Sequence, residues 1–473
     1  MAHSIAFVDS VSASPTTRLD LNTASLRCTA FDCPPPQLKQ AVADNMMTDG
    51  GEVSASAYGL RQLRFEHELV QSTEDAWAAA WQSLARELDR ETNIIRYLPD
   101  GATSPVFFKT RRGNVTDLYQ QIAYRKRRAL TFDLLAEPFA LGVRESISVG
   151  TVTTAQGLFD VGSASIKGDV EAPFVMVDAT PHSGFSPATG NAKLRWTLAR
   201  TTRDASSNPV MTTCGGMTLG TNTTVSSTSA LVSFANTSSA TRVTWTPSGT
   251  TAAAMRGKYR LMIGARGNAV TSSATLTVSV SYGSASVASA SADEVTKSMS
   301  PLGQQSWLID CGIVGFDAPD AMTLAPRIEI AAAVSNVTYS RTLYLDWLWL
   351  VPVDESCATA GATFLPSGYM PGGGSYPTSS PLVFDGEADD GSGSVYIASS
   401  ASLWSSATPV LPGWVTYTGA LPRLRPGVDN RFAYMRYASG ITGTPPVAEF
   451  ASGSGAITLY YHPRYLYVRP ATT

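Results

Sequence analysis

Apolar and polar residues alternate one by one along Gln62–Val70, where Leu63, Phe65, His67 and Leu69 share a face. A period of two is that of a half-buried strand. Strands are predicted likewise at Val53–Tyr58, Asn93–Leu98, Val106–Lys109 and Ala129–Leu135. Among them the period changes once. Trp77, Trp81, Leu84 and Leu88 recur at i, i+4, i+7 and i+11, which places them on one face of a helix. Ser72 is the predicted cap, with Asp75 as capping-box partner, and Glu74 and Asp75 suit the N-terminal dipole.

Beyond about Arg144 the pattern is almost free of helix. Tyr259–Ala265 and Thr275–Tyr282 alternate cleanly, and short strands recur between Gly-, Ser- and Asn-rich turns, as in an antiparallel sandwich. Thr342–Val351 is apolar on both faces and reads as a central buried strand. After Cys357, Pro371–Ser375 reads as a linker or long loop. Strands follow near Val395–Ala398, Gly413–Tyr417, Arg431–Tyr437 and Ile457–Tyr461. The predicted division is therefore 1–144, 145–355 and 356–473, the third part being short for a sandwich and open to packing on the first. Whether the middle part is inserted or appended is left open by the pattern.

Composition adds to this picture. A chain of 473 residues exceeds one core. Charged residues make up 15%, against ~25% in ordinary globular chains, and small hydroxyl residues fill the gap. A net charge of -3 gives no global pull toward nucleic acid or anionic membrane. Neither a secretory signal nor a membrane-spanning run is expected, so no membrane insertion is expected. The five cysteines, Cys28, Cys33, Cys214, Cys311 and Cys357, are an odd, scattered set that suits reduced thiols in a cytosol. The four histidines stand far from them in sequence, so neither metal nor other cofactor is expected.

Several residues carry candidate chemistry. Asp385–Gly391 spaces carboxylates like a calcium loop, but Asp390 and Tyr396 stand where an EF-hand needs Gly and Glu. A solvated acidic turn is the plainer reading. Between Lys109 and Arg128 lie Arg111, Arg112, Arg125, Arg127 and Arg128, which suit a subunit interface or pairing with helix carboxylates better than specific DNA binding. Trp347 and Trp349 are expected in a core, whereas Trp245 and Trp307, near turn-rich sequence, are the better candidates for stacking on a carbohydrate. Asp310 and Asp346 form an imaginable glycosidase pair, yet Asp346 sits mid-strand among Leu and Trp, and no nucleophile elbow, zinc-protease motif or P-loop occurs. The chain is expected not to be an enzyme.

The closing residues Leu424, Pro426, Gly427 and Asn430, then Pro463, Arg464, Tyr465 and Leu466, carry a resemblance. They resemble the close of long-tailed bacteriophage tail proteins of the distal-tail (Dit-like) and minor-tail type. There Leu-x-Pro-Gly-x-Asn leads into a final strand ending Pro-Arg-Tyr-Leu; here Val428-Asp429 replaces a single spacer. The strand, Asp49-Gly50-Gly51 turn, strand, Tyr58–Arg61 turn, strand and helix of residues 20–140 are similar to the belt domain of those proteins. The middle part, closing on Thr342–Val351 and Pro352, is similar to jelly-roll carbohydrate-binding modules. The resemblance implies a mainly β chain: a belt β-sandwich with one packed helix, a jelly-roll-like antiparallel sandwich, and a short C-terminal β domain. It also implies a homohexameric ring at the virion tail tip, assembled in the host cytoplasm. The ring would join tail tube protein, tape measure protein and tail hub proteins, DNA would pass through without specific binding, and an outward sandwich would attach to host cell-wall glycan. The rival readings are a carbohydrate-binding minor tail adhesin without a ring role, and a glycan-cleaving tail enzyme.

Overall fold

The computed structural model describes residues 3–44, 51–119, 127–152, 156–179, 192–202, 209–214, 217–220, 224–225, 232–234, 240–246, 255, 257–267, 272–282, 291–302, 306–316, 326–334, 343–364, 381–387, 394–397, 414–439, 448–449 and 455–467. The chain is mainly β, with antiparallel sheets throughout and one α-helix among the described residues.

The first sheet runs Thr17–Asp20, Ser4–Val8, Thr92–Leu98, Val106–Arg111, Arg127–Ala136, Arg61–Val70 and Leu26–Asp32. Its two halves meet at a single pair, Ala136 opposite Thr110. Their inner faces enclose one core of Phe7, Ile95 and Phe108 against Phe65 and Phe132, closed by Leu84 and Leu88 of the helix Glu74–Leu88. The alternation of Gln62–Val70 is borne out, with Leu63, Phe65, His67 and Leu69 all buried. The predicted cap is displaced by one residue. Thr73, not Ser72, has the extended backbone of a cap, and its hydroxyl accepts from Ala76 N at 3.2 Å. The first helical residue is Glu74, so only Thr73 stands three residues before that amide. At the other end Gly113 N donates to Leu88 O at 2.9 Å. A Cβ on Gly113 would lie 2.5 Å from Leu134 Cδ2 and 2.8 Å from Leu88 Cδ2, so only glycine lets the chain pass this close.

Two sandwiches follow, and their pairing departs from the predicted division at 145 and 355. One sheet of the first sandwich runs Glu145–Val152, Gly455–Tyr461, Phe174–Asp178, Leu382–Asp385 and Ser394–Ile397. The other runs Gln156–Val161, Asn430–Ser439, Ala192–Arg200, Cys357–Phe364 and Trp414–Gly419. Residues 145–200 thus form half of a sandwich completed by residues beyond 356. Its core gathers Trp196, Phe174, Phe384, Phe432 and Leu459. The second sandwich lies wholly between the two halves. Thr224–Val225, Val232–Phe234, Leu343–Pro352, Gly257–Gly267 and Ser306–Phe316 face Thr218–Leu219, Ala240–Trp245, Pro326–Val334, Ser272–Tyr282 and Ser291–Leu302.

The second sandwich is an insertion. Ala192–Arg200 pairs with Cys357–Phe364, and Ala199 lies opposite Cys357, so the chain leaves and re-enters on neighbouring strands. Adjacent ends let a complete domain be spliced in without disturbing the host sheet. Among the described residues of the third part, the short strand Arg464–Tyr465 pairs with the belt sheet. Both sandwiches share one topology. Numbering the eight principal strands of each along the chain gives the order 1-8-3-6 facing 2-7-4-5, a jelly-roll-like arrangement of two Greek keys. The two pack together through outward residues: Met262, Trp349 and Val351 of the inserted sandwich meet Ala199, Ala433 and Met435 of the frame. Trp349, expected in a core, is 1% exposed at this seam.

Candidate assembly interface

The strands Leu38–Asp44 and Gly51–Tyr58 pair with each other and with no other described strand. They leave the belt as a two-stranded ribbon, closed at its base by Gly59 N donating to Gln37 O at 2.7 Å. Lys39, Gln40, Ala41, Ser56 and Ala57 are all exposed, so neither face of that stretch is covered. Leu38, Tyr58 and Leu60 expose apolar surface at the base, and Tyr58 packs edge-on against Phe139. A lone hairpin is at best marginally stable in water, so a ribbon exposed on both sides of its described stretch calls for a partner surface. The sequence pattern did not reveal this. Leu38–Asp44 has no strong alternation, in keeping with the exposure of Leu38, Lys39, Gln40 and Ala41 in succession.

The basic stretch divides. Arg111 and Arg112 are exposed, and Arg112 pairs with Asp89 at 3.4 Å across the end of the helix. Arg128 pairs with Glu74 at 2.6 Å while its guanidinium lies 3.8 Å over the Trp77 ring, which ties strand to helix. Arg127 is on the same strand, with its side chain outside the described residues, and Arg125 lies outside them altogether. Beside Arg111 a groove of about 290 Å³ opens between Asp9, Arg18, Asn93, Lys109 and Glu137. Arg18 is held at its floor by Glu87 at 3.1 Å and by Asn93.

The resemblance-bearing close of the chain is a joint. Leu424 is fully buried and bridges Ala172. Gly427 has φ +74, a left-handed turn that favours glycine. Asn430 is fully buried and clamps that turn: its amide donates to Arg425 O and Val428 O, each at 2.9 Å, and its oxygen accepts from Arg425 N. Val428 and Asp429 are both exposed, and Asp429 accepts from Ser163 N at 2.8 Å. Arg464 and Tyr465 pair with Leu141 and Ala140 of the belt. Leu466 N donates to Asp169 at 2.9 Å, and Arg61 of the belt donates to Leu466 O at 3.0 Å and Pro138 O at 2.7 Å. Sequence reasoning missed Arg61, which follows the Tyr58-Gly59-Leu60 turn and is 2% exposed.

Below this joint Glu387 reaches back to Arg144 at 3.1 Å and accepts from His462 N at 3.3 Å. Desolvation raises the Glu387 carboxyl, with Arg144 opposing, and burial lowers His462 to about 4. In the belt core, burial lowers His67 to about 4 although its ring Nε2 donates to Leu21 O, 2.9 Å away. A depressed base favours the fold in its neutral form. Its contribution is complete above the ordinary value of 6.5 and is lost as pH falls toward 4. Acidification across this window is expected to cost the belt on the order of 3 kcal/mol at His67. Thermal melts of the native chain against His67→Gln between pH 7.5 and 4 isolate it, since Glu387 and His462 are common to both. Equal slopes would refute it.

Of the two predicted carbohydrate residues, one has its side chain described. Trp245 is 9% exposed and lies in the core of the inserted sandwich with Val243, Ile328 and Ile330, the reverse of the exposure expected for it. It occupies an inward position of Ala240–Trp245, and a flanking turn does not override that alternation. Trp307 is the second residue of the strand Ser306–Phe316, with its side chain outside the described residues, as are those of Trp347 and Asp346. Asp310 is ion-paired with Arg260 and accepts from Gly312 N at 3.0 Å, a structural engagement. Asp385 accepts from Glu387 N at 2.8 Å, and residues 388–390 of the acidic turn lie outside the described residues. Among the described residues no cluster of His, Cys, Asp and Glu is placed to hold a metal ion, and no helix is long and apolar enough to cross a membrane. All five cysteines are free thiols.

No family model matches the sequence, and no curated protein matches it. Among solved structures, the Dit protein of phage SPP1, described as a paradigm of hub adsorption apparatus, is 9% identical, with a TM-score of 0.26 over 74% of this chain and 98% of that one. A chain of the phage P2 baseplate in its activated conformation is 9% identical, with a TM-score of 0.23 over 73% of this chain and 98% of that one. The insecticidal delta-endotoxin Cry8Ea1 of Bacillus thuringiensis is 10% identical, with a TM-score of 0.21 over 74% of this chain and 52% of that one. Likenesses this weak carry no argument about function.

Proposed function

We propose that this chain is a structural component of a long-tailed bacteriophage tail tip, of the distal-tail type. In this reading the belt domain closes into a homohexameric ring that joins the tail tube to the tip complex. DNA passes through the ring without specific binding. The nested sandwiches project outward and attach the virion to the host surface, and the chain has an architectural rather than a catalytic role. The tail tube, tape measure and hub proteins are its neighbours, and assembly takes place in the host cytoplasm before the protein resides at the virion tail tip.

The observation that carries this reading is the ribbon on the belt, paired with no other described strand and exposed at Leu38–Ala41 and Ser56–Tyr58. A subunit that presents an arm and a different receiving surface forms head-to-tail contacts, and such contacts close into rings. The resemblance of Leu424–Asn430 and Pro463–Leu466 supplies the identity of the ring. The burial of Trp245 and the Arg260 partner of Asp310 give the adhesin-only and glycan-cleaving readings no support. Negative-stain electron microscopy and light scattering of the purified chain test the proposal. Six-fold rings are expected, and monomers or trimers persisting at high concentration would overturn it.

A further inference from the structure

Two domains joined by linkers ordinarily move relative to one another unless a large apolar interface prevents it. Here the re-entry linker between the sandwiches is itself a paired strand. Pro352 lies opposite Tyr259 in the inserted sheet. Val353 N donates to Lys258 O at 3.0 Å, still on the insertion, and Asp354 N donates to Arg200 O at 3.0 Å, already on the frame. Arg200 N donates to Ser356 O at 2.9 Å, and Cys357 lies opposite Ala199. Backbone pairing thus passes from one sandwich to the other between successive residues, which leaves no run of free residues to act as a hinge. Side chains brace the same stretch. Asp354 accepts from the Thr201 and Thr202 hydroxyls at 3.2 and 2.8 Å, and Glu355 pairs with Arg425 at 2.7 Å and with Arg200 at 3.4 Å.

A buried cation also crosses the boundary. Arg260, on the strand Gly257–Gly267 of the insertion, lies opposite Val351 of the apolar seam and is 8% exposed. Its Nη1 donates to Cys357 O of the frame at 2.9 Å, while its Nε donates to Asp310 of the insertion at 3.0 Å. Gly419 of the adjoining frame strand makes room for this contact. A Cβ there would stand 2.9 Å from Arg260 Nη1 and 2.1 Å from Cys357 O, and its φ of +83 favours glycine as well.

We propose that the inserted sandwich is carried as one rigid body with the frame, fixed by the paired linker 353–356 and pinned by Arg260. The outer sandwich is held at one bearing and does not swing on a tether. A module held in this way meets a surface already oriented, without the entropic cost of ordering a tether. The device stands on contacts between the two sandwiches and does not depend on the ring.

Distances between spin labels test this on the full chain. Ile313→Cys on the insertion and Val428→Cys on the frame are exposed attachment points. Cys28→Ser and Cys33→Ser remove the two half-buried thiols, and the remaining three are buried. Unlabelled chain in excess keeps any assembly to one labelled copy. A single narrow distance distribution is expected, and a broad one would overturn the proposal whether or not rings form. Arg260→Met with Asp310→Asn removes the pin without stranding a carboxylate. Gly-Gly-Ser inserted between Asp354 and Glu355 breaks the linker pairing and touches neither core. Circular dichroism confirms the folding of each, and each is expected to widen the distribution at least about twofold. An unchanged width in the folded pin variant would overturn the role of Arg260, and in the insertion variant that of the linker. If the pin variant does not fold, the native width and the insertion variant still decide.

Discussion

Asp178→Ala is expected to destabilise the frame sandwich by about 3–5 kcal/mol, the cost of leaving a buried charge without its counter-charge. Asp178 and Arg436 are both fully buried, with Arg436 Nε 4.0 Å from Asp178 Oδ2. The same carboxylate accepts from Trp196 Nε1 at 2.9 Å, and the guanidinium lies over the Trp196 ring at 5.2 Å. Two large groups in the core, Trp196 and Arg436, are therefore positioned by one carboxylate. Alanine leaves Arg436 with its bond to Val152 O at 3.3 Å and no counter-charge at Asp178. Asp178→Asn keeps an acceptor for Trp196 while removing the charge, so it is expected to fall between the two. Hydrogen exchange of peptides spanning Phe174–Asp178 and Ala192–Arg200 reads the loss directly. Native-like protection in the alanine variant would show that the network contributes nothing.

Arg61→Met is expected to release the C-terminal strand from the belt and to cost roughly 3 kcal/mol, the worth of two hydrogen bonds from a charged donor less partial compensation by methionine packing. Arg61 ties Pro138, at the end of the belt sheet, to Leu466, more than four hundred residues further along the chain. Its guanidinium also lies over Phe108 at 5.5 Å. Methionine retains the aliphatic volume and removes every donor, so the effect reports the bonds rather than a cavity. Cleavage after Arg464 by a trace of trypsin is expected to accelerate at least about tenfold, because the strand that shelters it is released. An unchanged cleavage rate would mean that pairing with Ala140 and Leu141 suffices to hold the terminus.

These two sites lie at the points where local pattern stopped being informative. Strand positions in the belt were legible because Leu63, Phe65, His67 and Leu69 each bury against one core and the intervening residues do not. The helix was legible for the same reason at its own period, to within one residue of its cap. Turn-rich surroundings point to an exposed Trp245, whereas the inward phase of its own strand buries it. Arg61, Asp178 and Arg436 gave no signal. A charged residue in a strand reads as solvent-facing until its partner, tens or hundreds of residues away, is brought beside it.

What the sequence determined was the class of structure: β strands with one helix, low charge, free cysteines, and a Pro-Gly turn that Asn430 is suited to clamp. Each follows from interactions within a few residues, where side-chain period, turn chemistry and composition act. Tertiary structure decided the rest. It joined residues 145–200 to the strands beyond 356, nested one jelly-roll-like sandwich inside another through the adjacent Ala199 and Cys357, and left the ribbon Leu38–Tyr58 bare on its described faces. Strand partners are chosen by the fit of whole faces across long loops, and alternation within a strand says which face is buried without saying against what. The same limit separates the basic stretch as read from the chain, a run of cations, from the groove beside Arg111, where the fold sets Arg18 and Lys109 next to it.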